Sequence, residues 1–257
     1  MPGPVSRALA PVRSALAYLV ISLYILLVGP PALVIASVFA WPNLLYQLGG
    51  YGVWIGMAIL GLRYRVEGRE HIQRGRAAIY CVNHVSNVDP PLAFMVLRQL
   101  FPHLQIVYKA VLRKTPVLGR AFHIAGFVPL DRGNQGQTTG AVAQAVRQMH
   151  AGKSFLVYPE GTRSWTGELL PFKKGAFIMA IEAQVPIVPM AIVGSRAAMA
   201  KGSPVIYPVT ILIRLGEPVP TVGLTFDDRD RLMALVRERI VKLLGGGAGQ
   251  GAGTWNS

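Results

Sequence analysis

The stretch Asn83-His84-Val85-Ser86-Asn87-Val88-Asp89 sets an imidazole five residues ahead of a carboxylate, between an apolar run and a proline. A neutral imidazole can take a proton from an alcohol near neutral pH. A carboxylate on its other nitrogen fixes the tautomer and stabilises the cation that forms. His84 and Asp89 therefore carry the chemistry of a general base and its orienter. Asp89 also directly precedes Pro90, a favoured first helical residue, so a helix N-cap is the plain structural alternative for its carboxylate. Ser86 and Cys81 are alternative nucleophiles for the same imidazole, although Cys81 lies in an apolar run where a buried, inert thiol is the usual case.

A second constellation, Tyr158-Pro159-Glu160-Gly161-Thr162-Arg163-Ser164, ends an apolar run in a turn of small and hydroxylated residues with an arginine. Free backbone donors, a hydroxyl and a guanidinium suit a phosphate group. A surface turn explains the same composition. Lys109 and Arg132 likewise follow apolar runs.

These residues need elements to bring them together. Residues 62–66, 77–82, 105–108, 126–130, 154–158, 187–193 and 209–215 read as strands. Residues 90–100, 138–150 and 173–184 read as helices between them. In the second of these, Ala141, Val142, Ala145, Val146 and Met149 share a face and Gly152 stops it. Residues 227–244 form a last amphipathic helix, with Leu232, Leu235, Val236, Ile240 and Leu243 on its stripe and Asp227, Asp228 and Asp230 at its positive end. Alternating strand and helix predicts an α/β domain with a mostly parallel sheet flanked by helices. In such sheets ligands bind beyond the carboxyl ends of the strands. His84, Lys109, Arg132 and Glu160 to Arg163 all fall there, so the topology would gather them on one rim.

The remainder of the 257 residues is dominated by a run from Ser14 to Leu62, 49 residues without Asp, Glu, Lys or Arg. One membrane-spanning helix needs roughly 20. Gly29-Pro30-Pro31 interrupts the run, predicting a kink or a break, and two membrane-embedded helices follow. Arg7 and Arg13 before the run, with Arg63, Arg65 and Arg69 after it, put both ends on the cytoplasmic side. A secretory signal ending near Val38-Phe39-Ala40 leaves Leu44 to Leu62 unexplained, and a pair of ordinary core helices leaves the long uncharged run unexplained. The expected organisation is a helical membrane hairpin over residues 1–62, an α/β domain over 63–244 and a Gly-rich disordered tail over 245–257. Net charge is +14, with 26 Lys and Arg against 12 Asp and Glu, which favours an anionic partner. A single cysteine excludes an intramolecular disulfide framework and a Cys-rich zinc site.

Four blocks in order carry a family resemblance. His84 through Asp89 matches the HxxxxD motif of the glycerolipid acyltransferases. Phe127-Val128-Pro129-Leu130-Asp131-Arg132 looks like their second block, with Val128-Pro129 where a bulkier pair is usual. Glu160-Gly161-Thr162-Arg163-Ser164 matches the third and Val185-Pro186-Ile187-Val188-Pro189 the fourth. Over residues 66–193 the chain resembles bacterial 1-acylglycerol-3-phosphate acyltransferases, whose usual design sets a hydrophobic helical anchor before an α/β catalytic domain.

The resemblance implies transfer of a fatty acyl group from acyl-CoA or acyl-carrier protein to the sn-2 hydroxyl of lysophosphatidic acid, by direct attack and without a cofactor or metal. It makes His84 the base and Asp89 its partner. Arg163 and Lys109, seconded by Arg132, hold the acceptor phosphate, and Glu160, Gly161 and Thr162 shape that seat. The implied partners are the lysolipid, the acyl thioester, with acyl-carrier protein as one carrier of it, and the bilayer, with no nucleic acid. The implied location is the inner (plasma) membrane with the catalytic domain facing the cytoplasm. Relatives with the same blocks acylate glycerol 3-phosphate, lyso-ornithine lipid or other lysolipids. A basic membrane protein that binds anionic lipid without chemistry is the non-enzymatic alternative.

Overall fold

The computed structural model describes residues 3–130 and 135–245. Arg132 and the Gly-rich tail after Gly245 lie outside the described residues. A short helix α1 (Pro4–Ala8) leads into α2 (Ala10–Val38) and α3 (Pro42–Leu60). The remaining order is β1 (Arg63–Glu67), β2 (Ile79–Val82), α4 (Asp89–Val96), β3 (Leu104–Lys109), α5 (Leu118–Ile124), β4 (Val128–Leu130), α6 (Gln135–His150), β5 (Ser154–Val157), α7 (Gly175–Ala183), β6 (Ile187–Val193), α8 (Ser195–Ala198), β7 (Thr210–Leu215) and α9 (Arg229–Leu244).

All seven expected strands form one sheet in the order β1-β7-β6-β2-β5-β3-β4. Five of them, from β6 to β4, run parallel, whereas β7 pairs antiparallel with β6 and β1 pairs parallel with β7. The sheet is thus mostly parallel with a reversed two-strand edge. The reversal follows from the β6–β7 connection, which holds only the single-turn α8 and no crossover helix. His84 follows β2, Lys109 ends β3 and Glu160 follows β5, and these three strands are immediate neighbours.

Strand side chains alternate between two cores. Ile79 and Cys81 face a layer made by α6, α7 and α9, where Ala141, Ala145 and Met149 are buried as their spacing predicts. On α9 the buried stripe is Leu232, Val236 and Ile240, and Leu235 is exposed at its edge. Tyr80 and Val82 face the other layer, made by α4 and by the α2–α3 pair.

Helix α2 runs unbroken through Pro30 and Pro31, so the expected interruption is absorbed within one helix. It is the one described helix long and apolar enough to cross a membrane, and α3 is its antiparallel partner. Close approach is possible because α3 presents glycines: a Cβ on Gly52 would meet the Tyr24 ring at 3.0 Å, and one on Gly56 would meet Ile21 at 3.6 Å. The pair is fastened to the α/β domain along its length. The Ile206 N–H donates to Ser14 Oγ at 2.8 Å and the Tyr18 hydroxyl donates to Pro204 O at 2.8 Å. Val117 occupies the space where a side chain at Gly29 would stand. On α3 the Tyr46 hydroxyl donates to Leu104 O at 2.6 Å, and its ring packs on Phe94, Phe101 and Phe127. Elsewhere α2 presents Leu19, Leu26, Leu27, Val34 and Val38 outward.

Candidate active site

Where β2 ends, Asn83 extends its pairing with β6 through a side-chain amide, donating from Nδ2 to Ile192 O at 3.1 Å and accepting the Ile192 N–H at 2.7 Å. His84 comes next, at the rim of the sheet. Its Nδ1 lies 3.0 Å from Asp89 Oδ2. The same oxygen accepts the N–H groups of Val85 at 2.8 Å and Ser86 at 2.7 Å. Asp89 therefore turns its fully buried carboxylate back into the loop. It does not cap α4, whose N-cap is Val88 and has no side-chain cap bond. An ionised carboxylate only accepts, so the shared proton sits on Nδ1 and leaves Nε2 as the acceptor of the neutral ring. Nε2 has no hydrogen-bond partner among the described residues.

Neither alternative nucleophile is available. Ser86 is completely buried and its hydroxyl donates to Met199 O at 2.7 Å. Cys81 is completely buried in β2, and burial pushes its thiol up to about 12, which suppresses the thiolate.

The second constellation holds the first. The Glu160 side chain points inward, with Oε1 accepting the His84 N–H at 2.6 Å and Oε2 accepting the Leu170 N–H at 2.8 Å. On the other side of the same residue, the Ser164 N–H donates to His84 O at 2.9 Å. The His84 backbone is thus clamped at both its amide and its carbonyl by one turn. Burial is the largest influence on Glu160 and raises its carboxyl from the ordinary 4.5 to about 7 against the pull of the two N–H donors. The resemblance assigns Glu160 to the phosphate seat; its side-chain oxygens are engaged by the His84 and Leu170 main chain. Gly161 takes the left-handed conformation at φ +75° that turns the chain back to the rim. Thr162 is exposed there and Arg163 is half-buried.

Three residues around this clamp have no role in the sequence reading. The Tyr158 ring lies against His84 with centroids 4.3 Å apart. Lys201 donates to Arg163 O at 2.7 Å and sits 4.3 Å over the Trp165 ring. Arg196 donates to Trp165 O at 3.2 Å. Tyr158 opens the second constellation, so its proximity was within reach of the sequence; Lys201 and Arg196 come from the β6–β7 connection, and nothing local points to them.

Lys109 is exposed at the end of β3, next to β5, so its ammonium and the Arg163 guanidinium belong to adjoining strand ends. Neither has a carboxylate within ion-pairing distance among the described residues. Between the helix pair and the α/β domain lies an almost wholly apolar cavity of about 530 Å³. Tyr24, Gly52, Met57, Phe94 and Phe122 line it, and it reaches Asn87 and Val88 within the His84–Asp89 loop. Its volume lies in the range of small-molecule sites. Among the described residues no group of three or more His, Cys, Asp or Glu is placed to hold a metal ion.

Residues 63–193 match the family model described as Acyltransferase. The chain is 33% identical over 218 residues to a 1-acyl-sn-glycerol-3-phosphate acyltransferase of Limnanthes douglasii, covering 82% of this chain and 75% of that protein. It is 32% identical over 171 residues to the human 1-acyl-sn-glycerol-3-phosphate acyltransferase beta, covering 65% of this chain and 60% of that protein. In fold it is similar to the crystal structure of the 1-acyl-sn-glycerophosphate acyltransferase PlsC from Thermotoga maritima, with a TM-score of 0.77 at 24% identity over 91% of this chain and 95% of that one.

Proposed function

The chain belongs to the acyltransferase family, and from that premise we propose that it acylates the sn-2 hydroxyl of 1-acylglycerol 3-phosphate, giving phosphatidic acid for phospholipid synthesis. The acyl donor in this proposal is a thioester, acyl-CoA or acyl-carrier protein. The observation that carries the reading is the His84–Asp89 pair, held at 3.0 Å with Nε2 unpartnered among the described residues, in a loop whose Asn87 and Val88 line an apolar cavity and beside two cationic strand ends.

In the proposed reaction His84 Nε2 takes the proton of the acceptor hydroxyl as its oxygen attacks the thioester carbonyl carbon. The new ester bond forms, the carbon–sulfur bond breaks, and the departing thiolate takes the proton back from the imidazolium. Asp89 holds the imidazole and stabilises its cation. Arg163 and Lys109, seconded by Arg132, bind the acceptor phosphate, and Gly161 and Thr162 shape that seat. Glu160 positions His84. The apolar cavity suits a fatty chain, whether that of the thioester donor or that of a lysolipid acceptor.

We also propose that the α2–α3 pair seats the protein in a membrane with the α/β domain facing the cytoplasm. Support comes from the apolar exposed face of α2 and from the arginines that bracket the uncharged run.

The test is an acyltransferase assay on the purified full chain in mixed micelles. Lysophosphatidic acid, glycerol 3-phosphate and lyso-ornithine lipid are each offered with acyl-CoA and with acyl-carrier protein. Preferential turnover of lysophosphatidic acid is the expected result. Preference for another acceptor reassigns the substrate, and failure of all combinations overturns the enzymatic proposal.

A further inference from the structure

Lys109 opens directly into a single 3-10 stretch, Ala110–Lys114, that leads through Pro116 into α5. The two pieces form one rigid bracket. A Cβ on Gly119 would collide with the Arg113 carbonyl, and the Gly119 N–H donates to Thr115 O at 3.0 Å. Between them Val117, a β-branched residue, is held at φ +59° and ψ −64°, in a tight turn closed by Leu118 N–H to Pro116 O at 2.6 Å. That conformation is strained for such a residue and persists only where surrounding structure enforces it. The turn is held by its own hydrogen bonds and packs on α2, where the Val117 side chain fills the gap above Gly29. The bracket is thus locked to the apolar helix.

Its outward side does not look like an ordinary surface. Val111 is 63% exposed, and Leu112 and Leu118 stand exposed beside it. Arg113, Lys114 and Arg120 are exposed around these three, with no carboxylate in ion-pairing distance among the described residues. Residues 98–130 hold five Lys and Arg and no Asp or Glu. Apolar side chains ringed by unneutralised cations match the boundary of a bilayer that carries anionic headgroups.

We propose that the bracket of residues 110–120 is a second lipid-contacting surface, docking the rim of the catalytic domain onto an anionic leaflet alongside the helix pair. The inference rests on the reading that α2 and α3 enter a membrane. Continuity argues for one occupant on both surfaces, because the Val117–Gly29 contact joins the bracket to α2 next to exposed Leu26 and Leu27. Lys109 sits at the base of the bracket, so docking would bring the phosphate-binding cations to headgroup level, where a lysolipid presents its own phosphate.

The test uses the full chain carrying one added cysteine, Val111→Cys, Leu27→Cys or Val222→Cys, labelled with an environment-sensitive fluorophore. The native Cys81 is completely buried and stays unlabelled. Val222, at the opposite end of the sheet, is 80% exposed and serves as the water reference. Proteins are reconstituted in phosphatidylcholine vesicles, with or without phosphatidylglycerol, and lipid-borne quencher is added. Quenching with a blue shift at positions 27 and 111, absent at 222, is expected. In anionic vesicles the combined Arg113→Gln, Lys114→Gln and Arg120→Gln changes should abolish quenching at 111 and leave it intact at 27. Quenching at 27 with position 111 as water-exposed as 222 overturns the docking surface and leaves the membrane reading standing. No quenching at 27 or 111 overturns both. Quenching at 111 that is indifferent to lipid charge and to the three glutamines overturns the anionic-leaflet assignment.

Discussion

The carboxylate of Glu160 accepts the backbone N–H of His84 at 2.6 Å, so the turn after β5 sets the position of the imidazole presented after β2. The relation ties two sequence blocks 76 residues apart into one unit. It also separates chemistry from scaffolding, since Asp89 meets the ring and Glu160 meets only the main chain.

Replacing His84 with Ala should remove the base and leave the clamp, because Glu160 and Ser164 bind its backbone. Turnover should fall about 100-fold to 10,000-fold with thermal stability nearly unchanged. Steady-state rates and melting curves on the same preparation check both; a folded variant with near wild-type turnover would falsify the assignment.

Asp89→Asn and Asp89→Ala should part company. Asn retains an oxygen for the Val85 and Ser86 N–H groups but cannot stabilise an imidazolium, so activity should drop about 100-fold or more with the loop intact. Ala leaves two buried donors unaccepted, and should add a stability loss of about 1–3 kcal/mol. Equal stability in the two variants, read by denaturant melts, would contradict the turned-back carboxylate.

Stability should depend on pH through Glu160. Its folded value, about 7, lies above its ordinary 4.5, so the native state binds the proton more tightly. Its contribution is greatest below about 4.5, declines as pH rises to about 7, and is level beyond. Comparing Glu160→Gln with the parent across that range should show the difference moving in favour of Gln by on the order of 3 kcal/mol. A flat difference would mean that Glu160 is ionised throughout.

Arg163→Ala should raise the acceptor Michaelis constant about ten- to a hundred-fold, the size of a lost charge-assisted hydrogen bond, with a smaller effect on the donor. Lys should rescue only in part because it lacks the planar fork. Equal effects on both substrates would argue for a structural arginine.

Tyr46→Ala should destabilise the whole protein by about 3–5 kcal/mol, since a large buried ring is lost between α3 and the sheet. Tyr46→Phe should cost about 1–3 kcal/mol by orphaning its partner Leu104 O. Thermal melts in detergent decide this, and a small effect for Ala would show that α3 is dispensable to the core.

The strands were legible because each is a short apolar run ended by a turn, and the rim was legible because chemistry-bearing residues follow those runs. Other features depend on contacts that local sequence does not encode. The direction in which Asp89 turns is one, for a carboxylate before Pro90 serves a cap or a loop equally well by spacing. The burial of Glu160 is another: a charged residue in a polar turn reads as exposed until β2 and β5 are known to adjoin. Helix α5 was missed because Pro116 and Gly119 break any period in its vicinity. The antiparallel edge depends on a missing crossover, which a list of strands does not reveal.

The fastening of α2 at Ser14 and again at Gly29 sets a sidedness. The stretch from one to the other, about 22 Å of helix, runs alongside the catalytic domain. From Pro30 to Val38 only about 14 Å of α2 remains to project further, against a hydrocarbon core about 30 Å thick. A protein so built and seated in a membrane holds its catalytic rim to the one leaflet that the rim faces. Added to sealed vesicles that carry lysolipid in both leaflets, it should convert the outer pool and leave the inner pool for whatever flips across.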